Sequence, residues 1–236
     1  MTQAEVEAHV RRLWRHRGTA VPLPRRGPRG ELDLDEILAA AIDLADAGGL
    51  PAVSTRAVAA HFDKTPMALY AYVGSKENLL ALMQDHASAL PTWDDPATGL
   101  ADDLLAWAFH HFDLHTAHPW LTERGWARHT QGPNEQDWME RLLAILAAWS
   151  VPAPDRAAMV TALYATVRAT AETAAAYRNL TPADTEAWLA QARLIPDLAE
   201  RYPHSTALPP AAGNWRDAPR AGLAAAVRLI ARGTVG

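Results

Sequence analysis

No cysteine occurs anywhere in the chain, which excludes disulfides, thiolate nucleophiles and cysteine-ligated zinc together. No apolar run approaches the ~18 residues that a membrane-crossing helix requires. The first thirty residues carry arginines where a signal peptide would need an apolar stretch, so the chain reads as cytoplasmic, with no membrane partner. No segment alternates polar and apolar residues over a strand's length, so strands are not predicted. Nucleophile motifs, phosphate-binding loops and paired carboxylates at catalytic spacing are missing too, and neither an enzyme nor a cofactor is predicted. Lysine is nearly absent. Its two occurrences, Lys64 and Lys76, bracket one short segment, "TPMALYAYVGS".

What is present is apolar residues, alanine above all, and arginine. With 236 residues and 49% apolar content the chain can bury a sizeable core, as one large domain or as a small domain joined to a larger one. The net charge of -5 hides a strong asymmetry. Residues 1–30 hold seven arginines against Glu5 and Glu7, whereas residues 31–90 hold nine acids against Arg56, Lys64 and Lys76. Positive charge is thus gathered in an N-terminal arm and at three points in the acidic segment behind it, a footprint that suits phosphate binding better than the total charge suggests.

Helix signals recur along the whole length. Thr2 with Glu5 has the form of a capping box, and Val6, Val10, Leu13 and Trp14 fall at helical spacing over residues 3–16. A proline-stiffened stretch ending in Arg25, Arg26 and Arg29 follows. Asp33 with Glu36 makes a second capping-box pattern ahead of Ile37, Ala41, Leu44 and Ala45, and Gly48-Gly49 marks that helix's end. Ser54, Thr65 and Ser75 stand as caps of three further short helices, with Pro66 at a first helical position where its missing N–H costs nothing. Two short helices a few residues apart inside such a bundle form a helix-turn-helix. "PTWDDPATG", residues 91–99, is the predicted domain boundary, and helices are expected near 100–117, 119–128, 135–149, 155–178, 182–200 and 218–232. The predicted fold is all-α: a basic arm over 1–30, a helix-turn-helix unit over 31–90, and a helical ligand-binding and dimerisation unit over 91–236.

The ordered string "ILAAAIDLADAGGLPAVSTRAVAAHFDKTPMALYAYVGSKENLLALM" resembles the N-terminal pattern of the TetR family of bacterial transcriptional regulators, over about residues 31–86. Beyond residue 100 the chain is similar, more loosely, to family members whose effector domain is like that of the tetracycline repressor, through "HPWL", "RYPH" and the final helix. The resemblance implies a homodimer that binds a palindromic double-stranded DNA operator and leaves it when a small-molecule effector binds. In that pattern residues 66–72 are the recognition helix, so Thr65, Pro66, Met67 and Ala68 face base edges. These side chains suit thymine methyls better than bidentate hydrogen bonding. Base-specific hydrogen bonding falls to Arg56, with Lys64 as a helper, while Thr55, Tyr70, Tyr72 and Lys76 match positions that hold phosphates. Leu69 and Val73 read as core. Asp63 stands where the family usually has glycine, and Lys64 beside it replaces an apolar residue. Arg25, Arg26 and Arg29 are either a solvated tail or an arm that enters the minor groove.

Six of nine tryptophans fall between Trp93 and Trp149, interleaved with five histidines. Trp107, His111 and His115 are one turn apart on one helix face; Trp138, Leu142, Ile145 and Trp149 form a second stripe. Each stripe reads as core residue by residue. Together with Trp120, Trp126 and Tyr164 they have the character of a pocket wall for an apolar or aromatic effector. His111, His115 and His118 also allow a metal reading, for which no accompanying carboxylate pattern exists, and no metal is assigned. The resemblance implies that the small residues of helix 155–178 and the apolar face of 218–232 meet a symmetry mate at the dimer interface, although helices this rich in alanine could equally pack within one chain. The competing reading is a metal-dependent or ligand-binding helical protein that does not bind an operator.

Overall fold

The computed structural model describes residues 2–18, 32–93, 97–124, 129–207 and 215–233. The predicted basic arm from residue 19 onward, with Arg25, Arg26 and Arg29, lies outside the described residues, as does Trp126. All regular structure among the described residues is helical, and no helix there is long and apolar enough to cross a membrane.

The N-terminal unit is built from local signals. Helix α1 (Gln3–Leu13) starts with the complete Thr2–Glu5 capping box and, after a 3-10 turn, ends where Gly18 turns left-handed at φ 83°. Helix α2 (Leu34–Ala52) is capped differently from the pattern: Asp33 accepts from the N–H of Asp35, two residues on, so the carboxylate acts alone without Glu36. Gly48 and Gly49 break the regular helix, Gly49 at φ 69°. Helices α3 (Thr55–His61), α4 (Pro66–Val73) and α5 (Lys76–Ala87) are capped by Ser54, Thr65 and Ser75, whose hydroxyls accept from the amides of Ala57, Ala68 and Asn78. Ile37, Leu38, Val58, Leu69, Val73, Leu79 and Met83 close this core, and Leu13 of α1 joins it.

The C-terminal unit stacks α6 (Leu100–Ala117), α8 (Pro133–Ala148), α9 (Ala153–Arg178) and α13 (Ala218–Arg232) around Leu104, Trp107, Leu142, Leu163, Val167 and Val227. Between α6 and α8 lies α7 (Trp120–Glu123), within the helix expected over 119–128, of which residues 125–128 lie outside the described residues. Its Trp120 and Leu121 insert into the N-terminal core, so a segment C-terminal to the sequence boundary helps fill the unit before it. The helix expected over 182–200 is α10 (Pro182–Arg193) followed by short α11 (Leu198–Arg201) and α12 (Pro203–Thr206). Pro196 removes an N–H and disfavours helix at Ile195, and Asp197 reverses the chain at φ 57°.

The units meet where α5 touches the start of α8. Gly132 caps α8 without a side chain and Pro133 has no N–H, so the first free amides are those of Asn134 and Glu135. The Asp85 carboxylate of α5 accepts both, at 3.1 and 3.2 Å. Asn134 Nδ2 donates back to the Asp85 carbonyl, and Trp138 Nε1 donates to the Ser88 carbonyl. A Cβ on Gly132 would lie 2.2 Å from Asp85 Oδ1.

Gly132→Ala is therefore expected to displace the carboxylate and leave the α8 amides unpaired, at about 1–3 kcal/mol in urea denaturation. Burial raises the Asp85 carboxyl from 3.8 to about 6, partly offset by its two amide donors. The folded protein thus holds this proton more tightly than the unfolded chain, so the stabilisation is complete below pH 3.8 and lost as pH rises through about 6. The urea midpoint should carry that fall across the window in the wild type, and Asp85→Asn should remove it.

Candidate nucleic-acid interface and ligand cavity

Helices α3 and α4 form the predicted helix-turn-helix. The turn is made by Asp63 at φ 52°, a left-handed position that aspartate tolerates and most L-residues avoid. This accounts for an acid where glycine was expected, and the adjoining Lys64 is exposed beside it. Leu69 and Val73 are completely buried, which fixes the rotation of α4. The opposite face is thereby turned outward: Met67 is 75% exposed. Thr65 is exposed and Pro66 and Ala68 half-exposed around it. The Thr65 hydroxyl accepts from the Ala68 amide and keeps its proton free to donate.

Arg56 projects from α3 into solvent and forms no ion pair with a described residue. The hydroxyls of Thr55 and Tyr70 lie 3.3 Å apart, joining α3 to α4 on the face where phosphate contacts were expected. Tyr72 is half-buried and packs on the N-terminal core through its ring. Lys76 is exposed at the first position of α5, where its ammonium adds to the positive end of the helix dipole. The ten described residues of the predicted interface are thus on two consecutive short helices, the turn between them and the start of a third.

Behind this head a cavity of about 370 Å³ opens among α5, α6, α8 and α9. Of the predicted pocket residues, His111, His115, Trp138 and Tyr164 line it. Trp107 backs the wall: it is fully buried, meets His111 and Tyr164 at ring-centroid distances of 5.0 Å each, and donates Nε1–H to the Trp138 carbonyl. Two tryptophans stand elsewhere. Trp120 is buried under α2, its indole N–H on Asp46 at 2.7 Å, and Trp149 leaves α8 at its C-terminal cap, 40% exposed and bonded to Asp103. His118 also bonds Asp46, at 2.9 Å, which separates it in role from His111 and His115.

Periodicity did not reveal the cavity's polar rim. Asp85 and Gln84 come from α5, Leu121 from α7, Thr130 and Gln131 from the loop before α8, Glu135 from α8 and Arg168 from α9. Glu135 accepts from the Thr130 and Gln131 amides at 2.7 Å each, from the Thr130 hydroxyl at 2.8 Å, and bonds His129. Arg168 donates to the Thr122 carbonyl beside α7. The one signal for Arg168 was its place midway along α9, between Arg156 near the start and Arg178 at the end. Desolvation pushes His111 well below its ordinary value and His115 down to about 4, so both rings are neutral at physiological pH.

Residues 37–83 match the family described as bacterial regulatory proteins, tetR family. The chain is 33% identical over 190 residues to the HTH-type transcriptional repressor DrrR1 of Streptomyces coeruleorubidus, covering 76% of this chain and 70% of that protein. Its fold is similar to that of apo ActR from Streptomyces coelicolor, with a TM-score of 0.73 at 23% identity over 87% of this chain and 98% of that one. ActR in complex with actinorhodin gives a TM-score of 0.71 over the same shares and at the same identity. A helix-turn-helix head, a helical body behind it and a repressor relative aligned over both converge: the chain belongs to the TetR family of bacterial transcriptional regulators.

Proposed function

We propose that this regulator acts as a homodimer on a palindromic operator and is released from it by a small, largely apolar or aromatic molecule that enters the cavity. One observation carries the release step: Gln84 and Asp85 of α5 and Ser88 at its C-terminal cap line the cavity, and α5 is the helix that follows recognition helix α4. A ligand touching α5, α8 and α9 together favours one setting of the head against the body. It weakens operator binding only by its difference in affinity between the two settings. ActR, a protein of this fold, forms a complex with actinorhodin, which supports a small-molecule effector here.

On DNA, Met67 and Ala68 meet thymine methyls, Arg56 reads a guanine edge with Lys64 beside it, and Thr55, Tyr70, Tyr72 and Lys76 hold phosphates. For the dimer, α9 turns Ala158, Ala165 and Ala169 outward, and α13 adds Ala221, Ala225 and Leu229. Two such helices present a flat surface that a symmetry mate can approach closely. Two-fold pairing also supplies the second recognition helix that a half-site reader needs.

Footprinting over the gene's flanking intergenic DNA is expected to show a two-fold protected site, which disappears when a binding aromatic compound is added. Arg56→Ala should weaken that protection by about 1–3 kcal/mol and relax one base position per half-site; unchanged affinity would remove Arg56 from the reading. The arm is tested by replacing Arg25, Arg26 and Arg29 with alanine, because deleting residues 1–30 would also take Leu13 out of the core. If the arginines meet phosphates, the log–log salt slope should become shallower by roughly 0.9 for each phosphate no longer neutralised.

A further inference from the structure

The charged groups around the cavity are already engaged inside the protein. Asp85 accepts both amides at the start of α8, Glu135 is held by the 130–131 loop and His129, and Arg168 is tied to the Thr122 carbonyl. His111 and His115 are different. Their rings meet edge to face at 4.6 Å, and His111 also lies 4.7 Å from Trp138 and 5.0 Å from Tyr164.

Hydrogen bonding fixes the protons on these two neutral rings. His115 Nδ1 is 3.0 Å from the backbone carbonyl of His111, which can only accept, so Nδ1 carries the proton. His115 Nε2 is then a lone pair. In His111 the order is reversed. Its Nδ1 is sealed in the protein with no partner, so a proton there would be buried unbonded. Nε2 is not sealed in this way and His111 lines the cavity, so a proton at Nε2 can be bonded by whatever enters.

We infer that the effector is a neutral planar aromatic ketone bearing a hydroxyl a few ångströms from the carbonyl, its carbonyl accepting from His111 Nε2–H and its hydroxyl donating to His115 Nε2. This deepens the ligand-release reading and rests on it for its biological meaning. Trp138 and Tyr164 supply the apolar walls, and the donor and acceptor sit side by side on consecutive turns of α6. A hydrocarbon of the same shape leaves both imidazole nitrogens dehydrated and unpaired, and a carboxylate, which can only accept, has no proton to donate to the His115 lone pair.

The test uses intact protein. Long-range proton–nitrogen NMR with ¹⁵N-histidine, assigned through His111→Phe and His115→Phe, is expected to find His115 protonated at Nδ1 and His111 at Nε2. Tryptophan fluorescence then compares three probes of one shape: 2-hydroxyfluorenone, 2-methoxyfluorenone, which lacks the donor, and 2-hydroxyfluorene, which lacks the carbonyl. The first should bind about tenfold more tightly than either of the others. His115→Phe should abolish its advantage over the methyl ether, and His111→Phe its advantage over the hydroxyfluorene. Reversed tautomers, equal affinity for all three, or binding of none overturns the inference. If the affinity order holds and 2-hydroxyfluorenone leaves the operator footprint intact, the ligand-release reading falls and the ligand class stands.

Discussion

The Asp85 carboxylate at the start of α8 is the constraint around which the two halves of the molecule are arranged. Helix α8 begins at Gly132–Pro133 and has no side chain of its own to receive its first amides, so its cap comes from another helix, forty-nine residues earlier in the chain. The arrangement requires a glycine at 132, because any Cβ would occupy the carboxylate's place. It also requires a buried acid, whose desolvation the helix dipole and two N–H donors offset only in part. A rotation of α5 that leaves α8 behind would strand both the acid and the amides. The two helices therefore tend to move as one body, or stay put.

Two further interactions limit how they can move. Helix α7 is wedged into the head through Trp120 and Leu121 while Arg168 of α9 holds the Thr122 carbonyl, so α7 is clamped from both sides. Arg124 is buried between Glu77 and Gln84 of α5. Residues of α5, α7 and α9 all line the cavity, together with residues of α6 and α8. That is a physical route for coupling: not a wire of residues, but one space whose walls belong to both units.

The head was legible in the sequence because its determinants are local. Ser54, Thr65 and Ser75 each cap the helix that begins at the next residue, Asp63 needs only its own backbone geometry, and Leu69 and Val73 fall one turn apart. The body was legible as helices and less so as a site. Trp107, His111 and His115 share a face by periodicity alone, and that stripe reached the cavity wall. Trp149 follows the same periodicity from Trp138 yet sits where α8 ends and unwinds, since a stripe carries no record of where its helix stops. Trp120 is separated from the body by a one-turn helix whose direction is set by Asp46, seventy-four residues away. Asp85, Glu135 and Arg168 meet only through tertiary packing, and no spacing between them encodes it.

Helix α1 alters what the basic N-terminal segment can do. Its arginines look alike in the sequence, but Arg15 is bound to Asp35 of α2 with His86 beside it, and Arg17 reaches Asp137 of α8. Trp14 donates to the Gln131 carbonyl on the cavity's rim, and Arg12 lies half-buried against Gly74. Arg17 and Trp14 join the head to the body, Arg12 and Arg15 are engaged within the head, and charge held in an ion pair gives up little counterion on meeting DNA. The seven arginines of residues 1–30 therefore overstate the electrostatic pull of the segment. For the proposed operator contacts this leaves Arg11 and the three arginines beyond the described residues, which shifts weight in that reading to the outward face of α3 and α4.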